Sequence, residues 1–316
     1  MYSAFKMLSF LIFATASIFI SKYIYDKKHK PTYIFIECDD VKDRIVPVPI
    51  EYIDFEGKTQ LGHLYVMDAV AEETQVAFAE LKKINFPVFC IRNKDDYRPA
   101  KDTCLQYENT TGAFSPRKIV NSKTGRRSSH SYGLAIDINP LQNPYIGIDP
   151  VKETLMAKTI PSGGVHYINR TPIRPGKEPR KGIIDEKIAQ IMDKYGFNIW
   201  GGYYDFPIDY MHFQLSSSMA VMLVNMSTAD SKKFFKIHVK LNRLLRKYGM
   251  NQDNKDIVDF LYQELYPSKK DTNAEELAEI YKANPKHFFE ITTKIIKGYE
   301  SALLETQKNT NNKKRK

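Results

Sequence analysis

The sequence predicts an α+β fold, in which an antiparallel sheet with flanking helices is followed by a small all-α appendage. Strand-like segments at residues 50–55 and 62–66 surround Glu56-Gly57-Lys58, an arrangement typical of a β-hairpin. From about residue 228 the pattern changes, because apolar residues then recur at helical spacing. A chain of 316 residues is long enough for one domain of ordinary size and this appendage.

Apolar periodicity and segment length predict four further elements in the first domain. They are a helix over residues 70–84, a strand over 86–91, a buried strand over 134–138 and a helix over 185–195. Two long connections lie between them, at residues 93–128 and 146–182. A long connection in a compact domain usually carries function, so we expect the first one to form part of a cleft wall.

The chain is expected to have four parts. They are an N-terminal signal peptide or membrane anchor over residues 1–30, a main domain over 40–225, a helical appendage over 228–306 and a basic tail over 307–316. Helices are predicted in the appendage at residues 233–248, 254–265, 274–283 and 288–305. We expect the main domain to fold without the appendage, which would then bind a protein partner of unknown identity. The tail is a charge run typical of a solvated chain end.

Residues 7–21 form an apolar run that is interrupted only by Ser and Thr and follows Lys6. The run favours an uncleaved signal anchor that would attach the chain to a membrane. A signal peptide cleaved near Ala14-Thr15-Ala16 and a buried helix are the alternatives. Lys22 and Lys27 follow the run, and this charge asymmetry opposes export. Large domains can translocate regardless of such charges, so we expect a location outside the cytoplasm.

The three cysteines, Cys38, Cys90 and Cys104, do not have the spacing of a metal motif. One disulfide is possible in an exported domain, and Cys90 with Cys104 is the favoured pair. The net charge of +10 suits an anionic lipid, nucleic acid or an acidic polymer. We expect no nucleic-acid partner, because the sequence has no recognised binding motif and no basic segment interleaved with aromatics.

Two short segments far apart in the chain contain the residue types of a hydrolytic zinc site. In the first, His130 precedes Asp137 by seven residues, and in the second, Asp209 precedes His212 by three. Three nitrogen or oxygen ligands and one acid/base group leave a coordination position open for water, which a hydrolytic zinc requires and a structural zinc does not.

The spacing of the first segment has a structural interpretation. Residues 134–138 read as a strand with Asp137 on one face, and an odd separation would place His130 on the opposite face. We therefore expect a bend at Gly133 to bring His130 back toward Asp137. His212 lies between two apolar residues and is expected on a second strand, after a turn at Pro207 that lets Asp209 approach the metal.

These motifs resemble those of the zinc D-alanyl-D-alanine peptidase family. The family includes VanY-type carboxypeptidases, VanX-type dipeptidases and L-alanyl-D-glutamate endolysins. It carries His-x-x-Gly-x-Ala-x-Asp, then Glu or Asp three residues before a second His, often after Trp-Gly-Gly. Here the first motif spans residues 130–137, and Trp200-Gly201-Gly202 precedes the second. The resemblance covers about residues 45–215. Asn139-Pro140 and Gly196-Phe197 make this part of the chain similar to the VanY-like branch of the family.

The resemblance implies a zinc domain of the Hedgehog and D-Ala-D-Ala-peptidase type. It implies that Zn2+ is held by His130, Asp137 and His212, with Asp209 as the general base. The family also uses an arginine upstream of the first motif to hold the substrate carbonyl or the oxyanion. Arg117, which has a phenylalanine three residues before it as in the VanY-like pattern, is favoured for this role, and Arg98 is the alternative.

The resemblance also implies a substrate and a location. Substrate contacts are expected from Ser128, Tyr132 and Trp200. The expected substrate is a stem peptide of peptidoglycan, and the expected reaction is removal of the last D-alanine from D-Ala-D-Ala, in the cell envelope. Two alternatives stay open, an L-alanyl-D-glutamate-type endopeptidase and a non-catalytic envelope protein that binds wall peptide.

Overall fold

The computed structural model describes residues 38–91, 109–118, 127–151, 154–171, 173–177, 180–247, 256–269 and 271–314. These residues form α-helices and antiparallel sheets, which confirms the predicted α+β class. The segment predicted as a signal peptide or anchor, residues 1–30, lies outside the described residues. Among the residues that are described, no helix combines the length and apolar character that a membrane crossing needs.

The predicted hairpin is confirmed. β1 (Ile45–Ile53) pairs antiparallel with β2 (Thr59–Met67), and alternate residues of β1 are buried. Asp54 closes the turn, because its Oδ1 accepts from the backbone N–H groups of Glu56 and Lys58 at 3.0 and 2.8 Å. Gly57 has φ of 81°, which glycine adopts without strain.

Two three-stranded sheets follow the hairpin. Their strands are β3 (Ala135–Asp137), β4 (Tyr145–Val151), β5 (Thr154–Ile160), β6 (Ile199–Trp200), β7 (Ile208–Asp209) and β8 (His212–Gln214). One sheet has the order β3-β8-β6 and the other has the order β5-β4-β7. The chain passes from β7 to β8 through a turn at Tyr210 and Met211, so the second motif joins the two sheets.

Helices follow the first hairpin, separate the short strands and make up the C-terminal part of the described structure. They are α1 (Ala71–Lys83), α2 (Glu186–Lys194), α3 (Ser217–Asn225), α4 (Thr228–Lys247), α5 (Ile257–Leu265), α6 (Ala274–Ala283) and α7 (Pro285–Lys314). The helices predicted over residues 70–84 and 185–195 are confirmed, and α4 to α7 correspond to the four predicted in the appendage. The sequence analysis did not predict α3. The helix α7 continues through most of the predicted tail.

The hydrophobic core continues from the main domain into the appendage. Phe235 of α4 is fully buried and lies 6.5 Å from Phe197, ring centre to ring centre. His238 of α4 donates from Nε2 to the carbonyl of Gly196 at 3.0 Å. Arg44 donates to the Ser231 hydroxyl of α4 at 2.6 Å. The predicted boundary near residue 228 therefore lies at a helix start but not at a break in packing.

Three predictions about connections are wrong. Residues 86–91 form no strand and make only single bridges at Pro87 and Ile91, since proline has no N–H for a ladder. The connection over residues 146–182 contains the β4–β5 hairpin. The chain reversal before His212 lies at Tyr210 and Met211, after Asp209, and not at Pro207.

Cys90 is disulfide-bonded. Of the other two cysteines, Cys104 lies outside the described residues, and the side chain of Cys38 is not described either. The expected pairing of Cys90 with Cys104 therefore stays a prediction.

Candidate metal centre

His130 is held by a short 3-10 helix, Ser129–Tyr132. The Ser128 hydroxyl caps it by accepting from the backbone N–H of His130 at 3.3 Å. Gly133 ends the helix with φ of 62°, and a Cβ there would lie 2.6 Å from the backbone nitrogen of Met67. This is the expected bend, and it leaves His130 2% exposed.

Asp137 and His212 lie opposite each other on β3 and β8. Directly opposed residues of antiparallel strands project to the same face, which explains why the two motifs meet. The His212 Nδ1 atom lies 2.9 Å from Asp137 Oδ1. On the other edge of β3, Asp137 exchanges two backbone hydrogen bonds with Gly112, so its position is fixed from both sides.

Three candidate ligand atoms converge. His130 Nε2 lies 3.2 Å from His212 Nδ1 and 3.1 Å from Asp137 Oδ2. Ligands at about 2.1 Å from a tetrahedral metal lie about 3.4 Å apart, close to these separations. Within the described residues, these three side chains form the His/Asp group that could hold a metal ion. The donor set and its geometry therefore fit a divalent metal.

A protein acceptor fixes the tautomer of each histidine. His130 donates from Nδ1 to the carbonyl of Ala113 at 2.5 Å, and His212 donates from Nε2 to Gln214 Oε1 at 2.9 Å. The remaining nitrogens, Nε2 of His130 and Nδ1 of His212, face the shared point, where a bound metal would replace a proton. Metal-binding histidines are typically oriented by such outer hydrogen bonds.

The charges of the cluster favour a bound cation. Burial alone would raise the pKa of Asp137, but the two histidines outweigh it and hold that pKa well below its usual range. Burial alone would lower the pKa of His212, but the hydrogen bond to Asp137 and its charge raise it to about 9. The buried carboxylate therefore stabilises positive charge at the point where the ligand atoms meet.

Asp209 lies beside this cluster on β7, opposite Tyr145 of β4. A side chain at Gly201 would overlap the backbone of Asp209, which explains the small residue in the Trp-Gly-Gly segment. Asp209 Oδ1 is buried and has no hydrogen-bond partner among the described residues. Burial raises the pKa of Asp209 to about 7, with His212 opposing and Asp137 reinforcing the shift.

Of the two candidate arginines, Arg117 lies within the described residues. Arg117 is exposed, and its backbone carbonyl accepts from the Ser131 hydroxyl at 2.6 Å, next to His130. Its charge lowers the pKa of Asp209, so the guanidinium lies within electrostatic reach of the cluster. Arg98 lies outside the described residues. The choice between the two arginines and the role of Arg117 therefore stay predictions.

The three expected substrate residues have different surroundings. Ser128 is 7% exposed and caps the helix of His130. Trp200 is 8% exposed, donates from Nε1 to the carbonyl of Tyr210 at 2.8 Å and stacks on Phe213. Tyr132 is partly buried against the core. The described contacts of these side chains are within the protein, and their role toward a substrate stays a prediction.

Several residues around the cluster were not predicted from the sequence. Gln214 follows His212 by two residues and shares its face of β8, so strand alternation could have identified it. Tyr145 and Tyr204 both lie near Asp209: burial raises their pKa values, Asp209 raises them further, and that of Tyr204 reaches about 12. No sequence pattern could have identified Tyr204, because its position depends on the loop before β7.

A comparison with known families identifies part of the chain. Residues 122–215 match the family model described as D-alanyl-D-alanine carboxypeptidase. The matched segment contains His130, Asp137, Asp209 and His212 and covers less than a third of the chain. No curated protein and no solved structure matches the chain. The resemblance to the zinc D-alanyl-D-alanine peptidases is thus confirmed for residues 122–215, the segment that matches the family model.

Proposed function

We propose that the protein is a zinc-dependent peptidase that removes the terminal D-alanine from peptidoglycan stem peptides. The observation that carries this proposal is the geometry of the cluster. Three ligand atoms meet at one point, and Asp209 lies beside them with a buried oxygen that has no partner in the described structure. Three protein ligands and one nearby carboxylate are typical of a hydrolytic zinc rather than a structural one. The family match supports peptidase chemistry.

His130 Nε2, His212 Nδ1 and a carboxylate oxygen of Asp137 would hold the metal. When bound, zinc would polarise the scissile carbonyl and lower the pKa of the attacking water. Ala113 and Gln214 would keep the histidine rings in the orientation that this requires.

Asp209 would act first as a base and then as an acid. Its raised pKa, about 7, makes it a better proton acceptor than an ordinary aspartate while it stays partly ionised at neutral pH. The carboxylate would accept the proton of the attacking water and donate it to the departing amine. Arg117, with its charge in reach of Asp209, would stabilise the negative oxygen that develops on the carbonyl.

We also propose that the domain works outside the cytoplasm, in the cell envelope, attached through the N-terminal apolar segment. The disulfide at Cys90 supports an oxidising compartment. The net charge of +10 suits an acidic wall polymer, since peptidoglycan stem peptides carry free carboxylates.

The test is the digestion of a soluble stem pentapeptide that ends in D-Ala-D-Ala, with products sequenced by tandem mass spectrometry so that the end that lost an alanine is known. We expect loss of one alanine, abolished by a chelator and restored by zinc. Release of L-alanine from the N-terminal side would instead indicate an endopeptidase of the L-alanyl-D-glutamate type. Zinc-loaded protein that binds the peptide and leaves it intact would indicate a non-catalytic wall-binding protein.

A further inference from the structure

The sheet β5-β4-β7 presents a set of side chains on the same face as Asp209. Tyr145 pairs with Asp209 on one side and with Ile160 on the other, and Gly147 pairs with Lys158. Paired residues share a face, as do residues two apart along a strand. Tyr145, Lys158 and Ile160 therefore project to the side of the sheet that carries the proposed catalytic carboxylate.

Gly147 allows the Tyr145 ring to lie along this face. A Cβ on Gly147 would lie 2.7 Å from Tyr145 Cε1 and 2.9 Å from its hydroxyl oxygen, so a side chain there would displace the ring. The ring therefore extends over Gly147 toward Lys158, the partner of that glycine. Lys158 and Ile160 are both exposed, and Ile160 is 41% exposed.

The electrostatics agree with this placement. Burial raises the pKa of the Tyr145 hydroxyl, the charge of Asp209 raises it further, and the charge of Lys158 lowers it. The hydroxyl therefore lies within reach of both charges and stays protonated at neutral pH, so it can donate a hydrogen bond. Strand spacing of about 4.8 Å and a rise of about 3.4 Å per residue place the Cα atoms of Lys158 and Asp209 about 12 Å apart.

The proposed role of Asp209 determines which part of a substrate would lie on this face of the sheet. In the proposed reaction Asp209 donates a proton to the departing amine, so the leaving group lies on the Asp209 side of the metal. In a carboxypeptidase the leaving group is one amino acid, whose α-carboxylate is two bonds from that amine. A hydroxyl donor near Asp209 and an ammonium farther along the same face can together hold an anion on this side of the metal.

We propose that Tyr145 and Lys158 form a subsite for the free α-carboxylate of the leaving amino acid. Ile160 gives the same face an apolar contact for a small side chain such as that of alanine. This inference rests on the proposed function and deepens it, because recognition of a free carboxylate would make the enzyme an exopeptidase.

The test compares two stem pentapeptides that are identical except that one ends in a free carboxylate and the other in an amide. For the full-length zinc-loaded enzyme we expect kcat/KM at least about tenfold higher for the acid, as for a charge-assisted hydrogen bond. Lys158→Met and Tyr145→Phe should each raise KM for the acid about tenfold and bring the acid-to-amide ratio of kcat/KM toward one. Lys187→Met, an exposed lysine of α2, is the control and should change neither.

Binding of both peptides to the zinc-loaded Asp209→Asn variant gives a second measurement that does not depend on turnover. An acid-to-amide ratio near one in the wild type, or a ratio unchanged by Lys158→Met and Tyr145→Phe, overturns the subsite. If the wild type cleaves neither peptide, the proposed function fails, and the ratio of binding affinities still decides whether the subsite exists.

Discussion

At the scale of single residues, the metal ligands and the base should respond differently to substitution. His130→Ala, Asp137→Ala and His212→Ala should each lower zinc content and activity, because three protein ligands leave none to spare. Asp209→Asn should keep zinc and lose at least about a hundredfold in kcat, because an amide has the same shape but cannot accept the proton of the water. Zinc content by mass spectrometry, measured beside turnover, separates the two classes. Full zinc in the alanine variants would refute the ligand assignment.

Gln214 should act through His212. Removing its acceptor in Gln214→Leu frees Nε2 of His212, so the ring can rotate or change tautomer. We expect zinc affinity to fall about 10- to 100-fold, the usual cost of losing an outer-shell partner. Gln214→Glu keeps an acceptor and should retain most of the affinity. Gln190→Leu, on the surface of α2, is the control. Equal zinc affinity in the leucine variant and the wild type would show that Gln214 does not orient the ring.

At the scale of elements, a buried carboxylate links the strand that carries His212 to the appendage. Asp256 caps α5 by accepting from the backbone N–H groups of Val258 and Asp259, and it also accepts from the hydroxyl of Ser216 just after β8. Burial raises the pKa of Asp256 from 3.8 to about 7, and the charge of Asp259 reinforces the shift. The protonated form therefore favours the folded state.

The sign of this linkage gives a prediction. Protonated Asp256 stabilises the folded state fully below pH 4, and this stabilisation is lost as the pH rises through about 7. Asp256→Asn keeps a capping acceptor and removes the ionisation. Relative to the wild type, it should gain roughly 2 to 3 kcal/mol of unfolding free energy between pH 5 and pH 8. Urea denaturation of both proteins at the two pH values measures this gain. A difference that does not change with pH would rule out Asp256 as the titrating group.

The elements show how far the sequence could predict the structure. The alternation around Asp137 and the glycine at position 133 were enough to predict β3 and the bend that returns His130. The hairpin β4–β5 was missed because prolines such as Pro150 suggested a loop, although this proline stands at the hairpin end, where strands tolerate it. Which strand pairs with which depends on contacts between distant segments, so the placement of Tyr145 beside Asp209 could not be read locally.

At the scale of the whole molecule, the shared core opposes the expectation that residues 40–225 fold alone. A fragment ending at residue 225 would lose α4 and expose the surface around Phe197 that Phe235 covers, a side chain that is fully buried in the whole chain. We therefore predict that the fragment is insoluble or unfolds at least about 10 °C below the full-length chain. Thermal unfolding followed by circular dichroism measures this. A fragment with zinc content and unfolding temperature of the full-length protein would show that the appendage is separable.

The central claim is that one zinc ion, held by His130, Asp137 and His212, is required for peptide hydrolysis. The most direct test is a titration of zinc into the chelated full-length protein while release of D-alanine from a stem pentapeptide is followed. We predict activity that rises from the background to a plateau at one zinc ion per chain, and no rise for His212→Ala at the same concentrations. Hydrolysis that proceeds without metal, or a His212→Ala variant that titrates like the wild type, would contradict it.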